Sequence, residues 1–230
     1  IKEGKKKGSA KMKFSEKLFE SVKDIWKSYY IHPFVMGIGD GTLEIDKFKY
    51  YMIQDYIYLL EYAKVYALGI VKADSEEVMR GFSSMVNSIL NGEMSIHRSY
   101  MKRLGITSRE INNSKASLDN VSYTHYMLAV SYDGSLADIT VSLLSCMWSY
   151  LEIGRDLSKK LGSTEHEFYG EWISGYISKD YEKSTQWVID LVDDLTGNMD
   201  EKDLKRLEEI FITTSKYEYK FWDMAYNKGM

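Results

Sequence analysis

Ser135–Gly162 reads SLADITVSLLSCMWSYLEIGRDLSKKLG, and its reading decides the fold. Ser135 with Asp138 three residues on is a helix-capping pattern. Beyond it Ile139, Leu143, Met147, Tyr150, Leu151, Gly154 and Leu157 recur at helical spacing. Gly162 closes the run, so the spacing predicts one long helix from Ser135 to about Leu161. Cys146 lies within the apolar stripe, with Tyr150 one turn later.

The same period extends outward. Phe14–Tyr30 places Leu18, Val22, Ile25, Trp26 and Tyr29 on one face. Ile31–Gly41 (IHPFVMGIGDG) interrupts it with Pro33 and three glycines and reads as a turn. Thr42 is then the expected cap of a helix to about Lys72, and Asp74 with Glu77 the start of another to about Arg103. Thr107 with Glu110 marks a short helix, and Ser117–Asn120 leads into one near Ser122–Tyr132. Asp133-Gly134 makes a turn. Thr164 with Glu167 predicts a helix to about Tyr176, a further one covers about Asp180–Leu195, and Asp200 caps a last one to about Asn227. No strand-like alternation persists. The chain has one Pro, where average usage would give about eleven or twelve, and Pro costs about 3 kcal/mol inside a helix. These features predict an all-α, bundle-like single domain over residues 12–230.

Ile1–Lys11 carries five Lys and one Glu and reads as an expression-tag remnant. Without its +4, the formal net charge of −4 becomes −8, which argues against non-specific nucleic-acid binding. A single Cys allows no internal disulfide. No signal-peptide core follows Met12 and no apolar run approaches 18 residues, so no membrane association and a reduced, cytoplasmic compartment are expected. The 19 Tyr against 8 Phe suit apolar walls that also need polar tips.

Three polar groups fall on apolar faces. Asp55 lies in the stripe Phe48, Tyr51, Met52, Tyr58, Leu59, Tyr62, Val65, Tyr66, Gly69. Glu218 lies among Phe211, Thr214, Phe221, Trp222 and Ala225. Cys146 is the third. A buried carboxylate must be paired, hydrogen-bonded or protonated. Each acid could simply hold a backbone group or a Tyr hydroxyl, and a lone buried Cys is commonly an inert small hydrophobe. Two acids and the only thiol on inward faces of three helices nevertheless fit the way helical bundles build pockets. Glu93 and His97, at i and i+4, are off the spacing of a di-iron motif and read as a surface or core pair. Gly37–Gly41 does not fit a dinucleotide-binding fingerprint.

Five stretches carry a resemblance: HPFVMGIGDGTL (His32–Leu43), FKYYMIQDYIYL (Phe48–Leu59), SYTHYM (Ser122–Met127), CMWSYLEIG (Cys146–Gly154) and YEYKFWDMAY (Tyr217–Tyr226). The chain resembles the TenA family, thiaminase II or aminopyrimidine aminohydrolase, whose fold is all-helical and haem-oxygenase-like. The resemblance implies a catalytic cysteine at Cys146, an acid/base glutamate at Glu218 and a pyrimidine-anchoring aspartate at Asp55. It also implies a tyrosine that activates the thiol at Tyr58, and pocket tyrosines at Tyr123, Tyr150 and Tyr176. Many members have Pro directly before the cysteine where Ser145 stands here, a change that bears on local helix geometry but removes no reacting group. Further implications are a homotetramer, no metal and no organic cofactor. The implied substrates are 4-amino-5-aminomethyl-2-methylpyrimidine or thiamin, hydrolysed to the hydroxymethylpyrimidine in thiamin salvage. Two other readings stand at this point: a non-catalytic pyrimidine-binding or regulatory module, and a metal-dependent oxidase on the same fold using Glu93, His97, His125 and a carboxylate.

Overall fold

The computed structural model describes residues 12–229; the expected tag remnant Ile1–Lys11 lies outside the described residues. Eleven α-helices are present among them, and no strand. They are α1 Phe14–Tyr30, α2 Pro33–Asp40, α3 Ile45–Lys72, α4 Glu76–Asn87, α5 Met94–Arg103, α6 Ser108–Asn113, α7 Leu118–Asp133, α8 Leu136–Leu157, α9 Gly170–Tyr176, α10 Lys179–Thr196 and α11 Glu201–Asn227. A π-helical segment, Ser88–Glu93, joins α4 to α5.

The central element is α8. Ser135 caps it with a full capping box: the Ser135 side chain accepts from Asp138 N–H, and the Asp138 side chain accepts from Ser135 N–H. Every residue from Ala137 to Met147 is buried, so α8 is apolar-packed on all sides rather than along one stripe. It packs on α11, α10, α3 and α7. Each fully buried Leu, Ile or Val on it is worth about 1.5–3 kcal/mol of transfer free energy. By length and composition α8 could cross a membrane, but 83% of its apolar window is buried inside the bundle. One core, from Leu18 on α1 to Ala225 on α11, runs through the described residues.

Four sequence expectations change. The Pro/Gly segment expected as a turn is the helix α2. Pro33 occupies its first position, where a missing N–H costs nothing, and His32 Nδ1 accepts the N–H of Phe34 at 3.1 Å. The burial of Phe34, Val35 and Ile38 offsets the glycines. Gly41 ends α2 at φ 72°, a left-handed conformation suited to Gly. Thr42 does not cap α3: its N–H and that of Leu43 both go to the Gly37 carbonyl, at 2.8 and 3.0 Å, and Glu44 takes the cap position. The helix expected from Thr164 begins only at Gly170. His166 Nδ1 accepts the N–H groups of Phe168 and Tyr169, both at 3.1 Å, which holds that segment in turns. The helix expected to run from Asp74 to Arg103 is capped by Ser75 and contains the π segment.

Candidate active site

Asp55, Tyr58, Cys146, Tyr123, Tyr150, Tyr176 and Glu218 are all buried, and they come from α3, α7, α8, α9 and α11. The helices present them inward because their flanking residues are the core faces. On α11, for example, Thr214, Phe221 and Trp222 are buried around Glu218.

The thiol and the glutamate are coupled. Glu218 Oε1 accepts the Tyr123 hydroxyl at 2.7 Å. Burial pushes the Glu218 carboxyl up to about 7, against hydrogen bonds from Tyr123 and the Cys146 thiol that favour its ionised form. Burial likewise raises Cys146 well above an ordinary thiol, with the Glu218 charge adding to the rise and a hydrogen bond from Tyr58 opposing it. The resting site therefore holds a protonated thiol beside a carboxyl that titrates near neutrality. Tyr58 is fixed by its ring neighbours: it stacks on Tyr62 with centroids 5.3 Å apart and meets Phe221 at 5.5 Å. Tyr62 in turn donates to the Leu143 carbonyl on the cysteine's own helix at 2.7 Å.

The other side of the site is built on Asp55. Its Oδ2 lies 2.6 Å from His97 Nε2. His97 Nδ1 lies 2.9 Å from the Glu93 carbonyl. A carbonyl only accepts, so Nδ1 carries a hydrogen. Burial draws the imidazole toward its neutral form, but the hydrogen bond to Asp55, its charge and the Glu93 carbonyl outweigh this and raise its pKa. The pair is thus a short, buried contact between ring nitrogen and carboxyl that favours the protonated ring. Sequence reasoning noticed Glu93 and His97 as a pair but not this connection, since no spacing rule links residue 97 to residue 55. The tyrosine wall is likewise larger than expected. Tyr150 shares a hydrogen bond with Tyr51 at 3.2 Å and packs on Tyr176 with centroids 4.8 Å apart. Gly154 permits that contact: a Cβ there would lie 3.0 Å from Ile177 and 3.2 Å from the Tyr176 side chain.

The oxidase constellation does not assemble. His125 is exposed on α7 while His97 is buried against Asp55. Among the described residues no group of three or more His, Cys, Asp or Glu is arranged to hold a metal ion.

Ser145, in the place before the cysteine, leaves α8 unbroken. Its hydroxyl is fully buried and has no hydrogen-bond partner among the described residues. An orphaned buried hydroxyl costs about 1–3 kcal/mol, and Ala is the better helix former. Ser145→Ala is expected to raise the Tm by about 2–6 °C in a thermal melt; an unchanged or lower Tm would mean that the hydroxyl is satisfied.

A model of the TENA/THI-4/PQQC family matches residues 19–228. The aminopyrimidine aminohydrolase of Helicobacter pylori is 52% identical over 215 residues, covering 94% of this chain and 99% of that one. The structure of a TenA homologue from P. horikoshii OT3 superposes with a TM-score of 0.87 at 30% identity, covering 95% of this chain and all of that one. A Shewanella denitrificans domain described as having a heme oxygenase-like fold superposes with a TM-score of 0.72 at 16% identity, over 92% of this chain and 91% of that one, and shows the fold alone. The fold is haem-oxygenase-like, and the chain belongs to the TENA/THI-4/PQQC family.

Proposed function

We propose that this protein is an aminopyrimidine aminohydrolase that cleaves 4-amino-5-aminomethyl-2-methylpyrimidine, or thiamin, to the hydroxymethylpyrimidine. One observation carries the reading. In a chain 52% identical to the Helicobacter pylori enzyme over nearly that enzyme's whole length, the only cysteine is buried, with Tyr58 as a hydrogen-bond partner and the charges of Glu218 and Asp55 acting on it.

The roles follow from the chemistry of the ring. Asp55, held in place by His97, accepts from the exocyclic amine at C4 and binds the edge that also carries N3. Tyr123, Tyr150 and Tyr176 wall the ring. The thiol adds across the C6–N1 bond: sulfur bonds to C6 while its proton passes through Glu218 to N1. A carboxyl poised near 7 suits that transfer. Electrons from the amidine then form an exocyclic methylene at C5 as the bond to the leaving group breaks, its pair departing on the leaving nitrogen. Water adds to the methylene and releases one proton to solvent, the amidine electrons return to the ring, and the N1 proton returns to sulfur as the S–C6 bond breaks. Covalent addition divides one difficult displacement into easier steps.

The reading carries with it a homotetramer in a reducing cytoplasm, working on a small molecule without cofactor, metal, nucleic acid or membrane. The purified protein is expected to release ammonia and the hydroxymethylpyrimidine in equal amounts from the aminomethylpyrimidine. The product is also expected to protect Cys146 from iodoacetamide. Absence of ammonia release from this substrate together with absence of thiazole release from thiamin would leave a binding module instead.

A further inference from the structure

Glu93 has no role in the chemistry above. It ends the π segment, it is partly buried, and its carboxyl makes no hydrogen bond within the described residues. Its position is unusual. It lines an inner cavity of about 30 Å³ with His97, Trp172 and Tyr176. It also lines an outer cleft of about 400 Å³, whose wall includes Met147, next to the nucleophile. Glu93, Ile96, Gly175 and Tyr181 border both spaces and form the partition between them.

The order of groups around the ring says what meets this partition, and here the inference rests on the aminopyrimidine reading. N1 faces Glu218, C6 faces Cys146, and C4 with N3 faces Asp55. The C5 methylene that carries the leaving group therefore emerges between Cys146 and Asp55. Glu93 lies on that side. Its own carbonyl holds the His97 ring whose other nitrogen meets Asp55, and its side chain shares the outer cleft with Met147, the residue after Cys146. Both substrates in question carry a cation on this methylene: a protonated primary amine in one, a thiazolium in the other. A partly buried acid without a partner among the described residues is an arrangement that a cationic ligand would satisfy.

We propose that Glu93 is the acceptor for the cationic leaving group, and that the cleft outside it is the leaving-group subsite. An ammonium fits at the partition itself, and a larger onium ring extends into the cleft. Burial pushes the empty Glu93 carboxyl up to about 7, with the His97 charge opposing, so a bound cation ionises it and displaces its proton. The other titratable groups around it are Asp55 and Tyr66 on α3, His97 on α5, Cys146 on α8, Tyr176 on α9 and Tyr181 on α10.

The test compares two near-isosteric ligands, the aminomethylpyrimidine and its neutral hydroxymethyl product, by calorimetry on Cys146→Ser protein near pH 7. Adding Glu93→Gln is expected to weaken the amine about 10–100-fold and the alcohol less than about twofold. Glu93→Asp should recover part of the preference. Proton release on binding, read from buffers of different ionisation enthalpy, should accompany the amine and vanish in Glu93→Gln. Equal losses for both ligands, or none, would overturn the inference and leave the aminopyrimidine reading intact. Failure of Cys146→Ser to bind either ligand would overturn both. If Cys146→Ser does not fold, the same comparison is made with KM for the amine and product inhibition by the alcohol in otherwise wild-type protein, with the same outcomes deciding.

Discussion

Cys146→Ser is expected to retain the helical spectrum and a Tm within a few degrees of the wild type, and to hydrolyse the aminopyrimidine at least about 10³-fold more slowly. Fold retention follows from position. Cys146 is 8% exposed on a helix whose surrounding packing is otherwise untouched, and Ser is nearly the same size. Activity loss follows from acidity. The thiol already has its pKa raised by burial and by the Glu218 charge, and only the Tyr58 hydrogen bond lowers it. A hydroxyl starts from a far higher pKa and is the weaker nucleophile in the same surroundings. Steady-state ammonia release measures the effect. Turnover at the native rate would dispose of the covalent route.

The second large effect belongs to Glu218. Glu218→Gln keeps a group that can accept the Tyr123 hydroxyl, as Oε1 now does, but cannot exchange a proton. We expect kcat to fall about 10²–10⁴-fold, while the hydroxymethylpyrimidine still binds. The pH dependence has a definite sign. The proton-carrying form is lost as pH rises through about 7, so wild-type kcat falls on that limb and the variant loses the limb. Stability moves the opposite way. Between an unfolded carboxyl near 4.5 and a folded one near 7, the native state binds the extra proton. Stability therefore decreases as pH rises through that window. The Gln variant escapes this penalty and should be more stable than wild type at pH 8, by roughly 2–3 kcal/mol. Urea unfolding at pH 5 and pH 8 reads the difference. A stability gap that is the same at both pH values would mean the carboxyl titrates normally.

The sequence shows some parts of this molecule and hides others for physical reasons. Long amphipathic helices announce themselves: α1, α8 and α11 begin within a residue of their expected starts, because a cap residue and a repeating stripe are both local. Asp55, Glu218 and Cys146 stood out for the same reason, as polar groups where the period demands apolar ones. The segment Pro33–Asp40 misled because Pro and Gly are read as breakers, although Pro at the first helical position is favourable. Thr164 misled because a capping pattern says nothing about His166 competing for the same N–H groups. His97 could not be placed at all. Its partner is 42 residues away on another helix, and only the packing of α5 on α3 brings them together.

The π segment Ser88–Glu93 makes the pocket depend on chain length as well as on chemistry. A π turn is a regular helix with a residue inserted, and each residue advances a helix by about 100°. Excising one position there would leave every pocket residue unchanged in type, yet it would swing His97 about a quarter-turn off Asp55 and carry Glu93 away from the partition. A homologue with a one-residue gap at this point would share the lettering of the site without its geometry.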